Sequence, residues 1–87
     1  TAFNGKLFFS ADDGTNGAEL WSTDGTEVGT AIVKNIRPGA AGSGPANLRR
    51  LGTKLLFFAD DGMIGRELWS SDGTNAGTAF VKDVRPG

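Results

Sequence analysis

Apolar residues occur in short bursts along this chain, and glycine or charge interrupts each burst within a few positions. In the segment 40–87, "ANLRRLG" (46–52) alternates weakly and ends on a turn glycine. "TKLLFFADDG" (53–62) follows, with Leu55, Leu56, Phe57 and Phe58 contiguous. A short apolar run between turn signals predicts a strand buried on both faces, and it is too short for a helix. "GRELWSSDG" (65–73) and "TAFVKDV" (78–84) are the remaining predicted strands. The second of them sets Phe80 and Val84 on one face and Ala79 and Val81 on the other. The turn sequences "DDGMIG" and "SDGTNAGT" separate these strands. Asp-Gly supplies the positive φ of tight hairpins, and Asp72 can accept backbone N–H bonds two residues on. No segment keeps a 3.6-residue apolar period, so no helix is predicted.

The pattern then proves to be a repeat. "GAELWSTDGTEVGTAIVKNIRPG" (17–39) and "GRELWSSDGTNAGTAFVKDVRPG" (65–87) stand 48 residues apart, and 23 of the 39 pairs between 1–39 and 49–87 are identical. The chain divides into a first unit, 1–39, lacking most of its first strand, and a complete second unit, 40–87, with the small, flexible leading loop "AAGSGP". A period of about 40–50 residues marks a propeller, solenoid or array. Hairpin signals argue against a solenoid. The expected fold is all-β: two four-stranded antiparallel meander blades of a β-propeller-like repeat assembly, with an open β-repeat filament as the alternative. Returning from a fourth strand to the next first strand crosses roughly 14 Å at about 4.8 Å per strand. "RPGAAGSGP" (37–45) can span about 30 Å when extended.

Two blades leave a pair of apolar faces without cover, so the chain is expected to associate with copies of itself or with further repeats of a longer chain. If the rotation per blade closes, the product is a ring. If it does not, the same contact propagates as a filament. The chain opens partway through a unit and without an initiator Met, and is read as a fragment, a processed chain or the ordered part of something longer.

Glu19, Leu20 and Trp21 with Asp24, Gly25 and Thr26, and again Glu67, Leu68 and Trp69 with Asp72, Gly73 and Thr74, resemble the ELWxxDGT repeat family. The flanking "LFFSADDG", "GTAIVKNIRPG" and "GSGP" segments extend the resemblance over essentially the whole chain. It implies a propeller-like array in a secreted or cell-surface bacterial protein, and it carries no established activity or catalytic residues. Ser22–Thr26 and Ser70–Thr74 also resemble the Asp-box hairpin of sialidase-type propellers, with a different spacing. The box is a structural turn there.

Charge and composition remove several function classes. The formal net charge of −1 and the short "LRR" (48–50) give no basis for a nucleic-acid groove. The longest apolar run, Leu55–Ala59, falls far short of the ~20 residues a membrane helix needs. With no His, Cys or Tyr, Ser-His and Cys-His nucleophile systems are excluded. Asp12, Asp13 and Glu19, with Asp60, Asp61 and Glu67, are the densest acidic clusters, and calcium takes such oxygens. Asn16, however, becomes Ile64 in the second unit. The expectation is therefore turn chemistry and ion pairs with Arg37 and Arg85, with no metal, cofactor or catalytic site. Paired carboxylates of glycosidase type need one raised pKa, and no apolar pocket is evident to raise it. Trp21 and Trp69, beside Glu19 and Glu67, offer a glycan platform as the alternative role. The favoured reading wedges each Trp between sheets with its N–H bonded to a carboxylate or carbonyl.

Overall fold

The computed structural model describes residues 1–37, 39, 41–63 and 65–82. Among these, eight strands form two four-stranded antiparallel sheets, with no helix. The first holds β1 (Ala2–Phe3), β2 (Lys6–Asp12), β3 (Ala18–Thr23) and β4 (Ala31–Lys34). The second holds β5 (Ala46–Leu51), β6 (Lys54–Asp60), β7 (Arg66–Ser71) and β8 (Ala79–Lys82). In each, spatial order follows chain order, so both are meanders. Val84, Arg85 and Ile64, which figure in the expectations above, lie outside the described residues.

The register repeats with the sequence. Leu7, Phe8 and Phe9 oppose Thr23, Ser22 and Trp21, and Leu55, Leu56 and Phe57 oppose Ser71, Ser70 and Trp69. Directly opposite residues share a face. Phe8, Leu20 and Ser22 therefore form one face of the first sheet, and Leu7, Phe9 and Trp21 the other. Between the third and fourth strands of each sheet the register shifts, at Leu20/Trp21 and at Leu68/Trp69, and a further shift without a counterpart lies between Ala46 and Arg49. The shared shift sets Lys34 opposite Leu20, and Lys82 opposite Leu68.

The central strands, expected to be buried on both faces, are each covered on only one. In β6, Leu55, Phe57 and Ala59 are buried while Phe58 is exposed. In β2 the alternation is reversed: Phe8 is buried and Leu7 is exposed. The physical reason is that two sheets provide one contact between them. Phe3, Phe8, Leu20, Val33 and Ile36 join Leu55, Phe57, Ala59 and Trp69 in a single core. Phe3 meets Phe8 edge to face, with ring centroids 5.7 Å apart. Burying each such large side chain stabilises by about 1.5–3 kcal/mol.

This contact joins two different faces of the repeat. Leu7 is 50% exposed, whereas Leu55, the same residue one repeat later, is 0% exposed. The opposite face inverts the comparison: Val33 is 7% exposed and Val81 52%. Phe3 at 2% likewise corresponds to Leu51 at 67%. The Phe8 face of the first unit is thus laid on the Leu55 face of the second, a head-to-tail arrangement.

The leading loop of the second unit is not the loose connector its composition suggests. Gly42, Ser43 and Pro45 are buried. The Ser43 and Gly44 amides donate to Ala18 O at 2.9 and 3.0 Å, and Asp60 N donates to Ser43 O at 2.9 Å. Ser43 and Gly44 consequently bridge β3 of one sheet and β6 of the other. Small side chains allow that close passage between backbones.

Candidate functional site

The repeated motif builds two features, a turn at one end of each sheet and a buried carboxylate near the other. In the first turn, Asp24 Oδ1 accepts Thr26 N at 2.9 Å and Thr26 Oγ1 at 2.6 Å. Thr26 Oγ1 in turn accepts Gly29 N at 3.0 Å, and Thr30 Oγ1 donates to Thr26 O at 2.6 Å. Asp72, Thr74, Gly77 and Thr78 reproduce every one of these bonds. The Thr26 hydroxyl, and then its amide, hold the Asp24 carboxyl below the ordinary aspartate value. Thr74 does the same for Asp72. The glycine closing the turn is needed for space, since a Cβ at Gly77 would overlap the Asp72 carboxylate. "DGTxxGT" is therefore a self-contained hydrogen-bonded turn.

Gly25 and Gly73 share φ near +100°, at 97° and 98°, yet their surroundings differ. A Cβ at Gly25 meets open space, whereas one at Gly73 lies 3.4 Å from the Phe8 ring. A β-branched residue at either position incurs about 1–3 kcal/mol of backbone strain. Gly73→Val adds crowding against a core ring, about 1 kcal/mol or more. We expect Gly73→Val to melt several degrees below Gly25→Val, and both below wild type, in circular-dichroism melts at one protein concentration. Equal melting of all three chains contradicts the turn assignment.

Glu19 is held by four hydrogen bonds. It is fully buried, and both carboxylate oxygens accept hydrogen bonds. Oε1 takes Ile36 N at 3.0 Å and Ser43 Oγ at 2.6 Å, while Oε2 takes Ser43 N at 3.1 Å and Arg37 N at 3.2 Å. One side chain on β3 thereby fastens both ends of the passage from the first sheet to the second. Glu67 is also buried. A sugar platform needs its carboxylate at the surface, and neither Glu19 nor Glu67 is there.

The acidic clusters divide by position. Asp13 Oδ1 accepts Thr15 N and Asn16 N, each at 2.8 Å. The Asn16 amide first, and then that of Thr15, keep the Asp13 carboxyl below its ordinary value. Asp12 and Asp61 accept Gly14 N and Met63 N in the same way. Asp60 pairs with Arg37 at 3.5 Å, so the expected ion pair forms between the units. Among the described residues, no three acidic, His or Cys side chains converge as a metal site would require. Lys34 Nζ donates to Asn75 Oδ1 at 3.3 Å as a further tie between the sheets, and Arg66 Nη2 holds the leading loop of its own unit at Gly44 O, 2.6 Å away.

The tryptophans differ from expectation in two respects: only Trp69 lies between the sheets, and neither indole N–H has a partner. Trp69 is wedged at the sheet contact, edge-on to Phe80 with centroids 6.1 Å apart. Its Nε1, like that of Trp21, is buried without a hydrogen bond, so no carboxylate or carbonyl receives it. Apolar packing alone positions the ring. Trp21 occupies the same place on the uncovered face of the first sheet, half-buried beside Phe9 and Ile32.

One face of each sheet remains uncovered by the other sheet. One carries Leu7, Phe9, Trp21 and Ile32, and the other Leu51, Leu56, Phe58 and Val81. No family model, curated protein or solved structure matches this chain.

Proposed function

We propose that this chain is a non-enzymatic structural module that assembles through its two uncovered sheet faces, with copies of itself or with further repeats of a longer chain. The observation that carries this reading is the inverted burial of identical residues, Leu7 against Leu55 and Val33 against Val81. A face that is core in one unit is surface in the other. The uncovered Leu51–Val81 face is the counterpart of the surface that already packs on Leu55 and Phe57. The uncovered Leu7–Trp21 face is the counterpart of the surface that receives it. Contiguous apolar faces left open to water favour association.

Repeating one head-to-tail contact produces a closed ring of propeller blades or an open filament. The resemblance to the ELWxxDGT repeats agrees with such a module at the bacterial cell surface or outside the cell. The glycan reading is less well supported, because the buried Glu19 and Glu67 leave only Trp21 half-exposed. Sedimentation velocity of the chain at micromolar concentration tests the proposal. Assembly beyond the 9.0 kDa monomer is expected. A folded, cooperatively melting monomer overturns the proposal.

A further inference from the structure

The two sheets differ along the edge beside their first strands. In the second sheet this edge of β6 is covered almost to its end: Ala46 pairs with Phe58, and Asp60 N donates to Ser43 O at 2.9 Å. In the first, pairing stops at Phe8, which exchanges two bonds of 2.8 Å with Thr1. Backbone groups of alternate residues point to the same side of a strand. The Ser10 N–H and C=O and the Asp12 N–H therefore lie on the side that Phe8 presents to Thr1. Among the described residues, no backbone pairing reaches them there. Ser10 and Asp12 are both exposed, and such an edge is a template for another strand.

We infer that this edge of β2 is a strand-acceptor site for an extended peptide segment of Ser-Gly-Pro-Ala-Asn-Leu chemistry, the stretch that opens a further repeat unit. The site is separate from the sheet faces and rests on the reading above only for the kind of partner. The second unit shows the fit, because residues 43–48 fill the corresponding edge of β6. The Ser43 carbonyl receives the amide that corresponds to Asp12 N, and Ala46 stands opposite the counterpart of Ser10. Asn47 takes φ 57° where the register shifts, a conformation that asparagine adopts more readily than most residues. Leu48 packs against the core that holds Phe57. The leucine of a docked segment thus falls on the side of Phe9, the counterpart of Phe57 in the first unit. Main-chain bonds supply the affinity, and the asparagine and leucine supply selectivity.

The experiment is hydrogen exchange of the full chain with and without the free peptide Gly-Ser-Gly-Pro-Ala-Asn-Leu, the sequence of 42–48. Millimolar peptide should slow exchange of the Ser10 and Asp12 amides about tenfold, as a dissociation constant on the order of 0.1 mM requires. A peptide N-methylated at its alanine lacks the donor to Ser10 O and should give no protection. Ser10→Pro removes the outward N–H and leaves the β2–β3 bonds in place, because an edge strand tolerates proline on its open side. That variant should fold as wild type does and no longer bind the peptide. Absence of protection by the parent peptide overturns the site. Equal protection by the N-methylated peptide overturns the backbone pairing, whether or not the proline variant folds, and equal protection by a scrambled peptide overturns the occupant. Protection that appears without peptide as the chain is concentrated gives the edge to a second copy and also overturns the occupant. Assembly through the sheet faces is read separately, by sedimentation, and uses neither Ser10 nor Asp12. A chain that binds the peptide yet stays monomeric keeps this site and loses the sheet-face reading.

Discussion

Replacing Glu19 by alanine should destabilise the chain by about 3–5 kcal/mol, the range for stripping a buried charged partner from its hydrogen bonds. The four donors from Ile36, Arg37 and Ser43 converge on the two carboxylate oxygens. Without the carboxylate the buried Ile36 amide and the part-buried Arg37 amide lose this acceptor, and Ser43 keeps only Ala18 O. Total stability for a domain of this length is on the order of 4–13 kcal/mol, so the loss is a large fraction of it. Glu19→Gln keeps the shape but turns one acceptor into a donor facing donors, costing about 2 kcal/mol. At roughly 4–8 °C per kcal/mol, the glutamine variant should melt about 10 °C below wild type. Ser43→Ala removes the 2.6 Å hydroxyl bond to Glu19 and a long 3.5 Å one to Ala18 O, and should cost about 1 kcal/mol. Protein concentration must be held fixed across the series, because association shifts the apparent melting point. An alanine variant melting within about 2 °C of wild type, roughly half a kcal/mol or less, excludes this role for the carboxylate.

The strands and turns are legible in the sequence because their causes are local. Leu55–Phe58 lies between turn signals, and Asp72 and Thr74 close their turn within a few residues of one another. The Glu19 site is not legible, because its partners stand 17 to 24 residues downstream. Ser43 in "GSGP" carries ordinary turn composition, and only the fold brings its hydroxyl to a buried carboxylate. Side-chain packing hides the remainder. Leu7 and Leu55 occupy the same position of the same motif, and no local pattern says which of them is covered. The same limit applies to the indole N–H of Trp69, which packing leaves without a partner. The all-β class follows from periodicity, whereas the choice of buried face follows from how many units are present.

That dependence allows one substitution to give two outcomes. Leu55→Asp puts a carboxylate among Phe8, Phe57 and Trp69, in the closed core. Truncating a buried leucine alone costs about 2–5 kcal/mol, and an unpaired charge adds to it. This chain should be unfolded or nearly so at room temperature. Leu7→Asp makes the same change at a half-exposed position, where surface substitutions usually fall within about 0.5 kcal/mol. At dilutions where wild type is monomeric, it should melt as wild type does. At micromolar concentration it should fail to assemble, because a second copy must then bury a charge in an apolar contact. We expect its dissociation constant to rise at least about a hundredfold, the equivalent of about 2.7 kcal/mol. Circular dichroism separates folding from assembly, and sedimentation velocity reads the assembly. If Leu7→Asp assembles with wild-type affinity, the Leu7 face is not the one that receives a second copy. If Leu55→Asp folds normally, the sheets do not meet through the Leu55 face. The two results are independent, because the internal contact and the outer one use the same motif in different units.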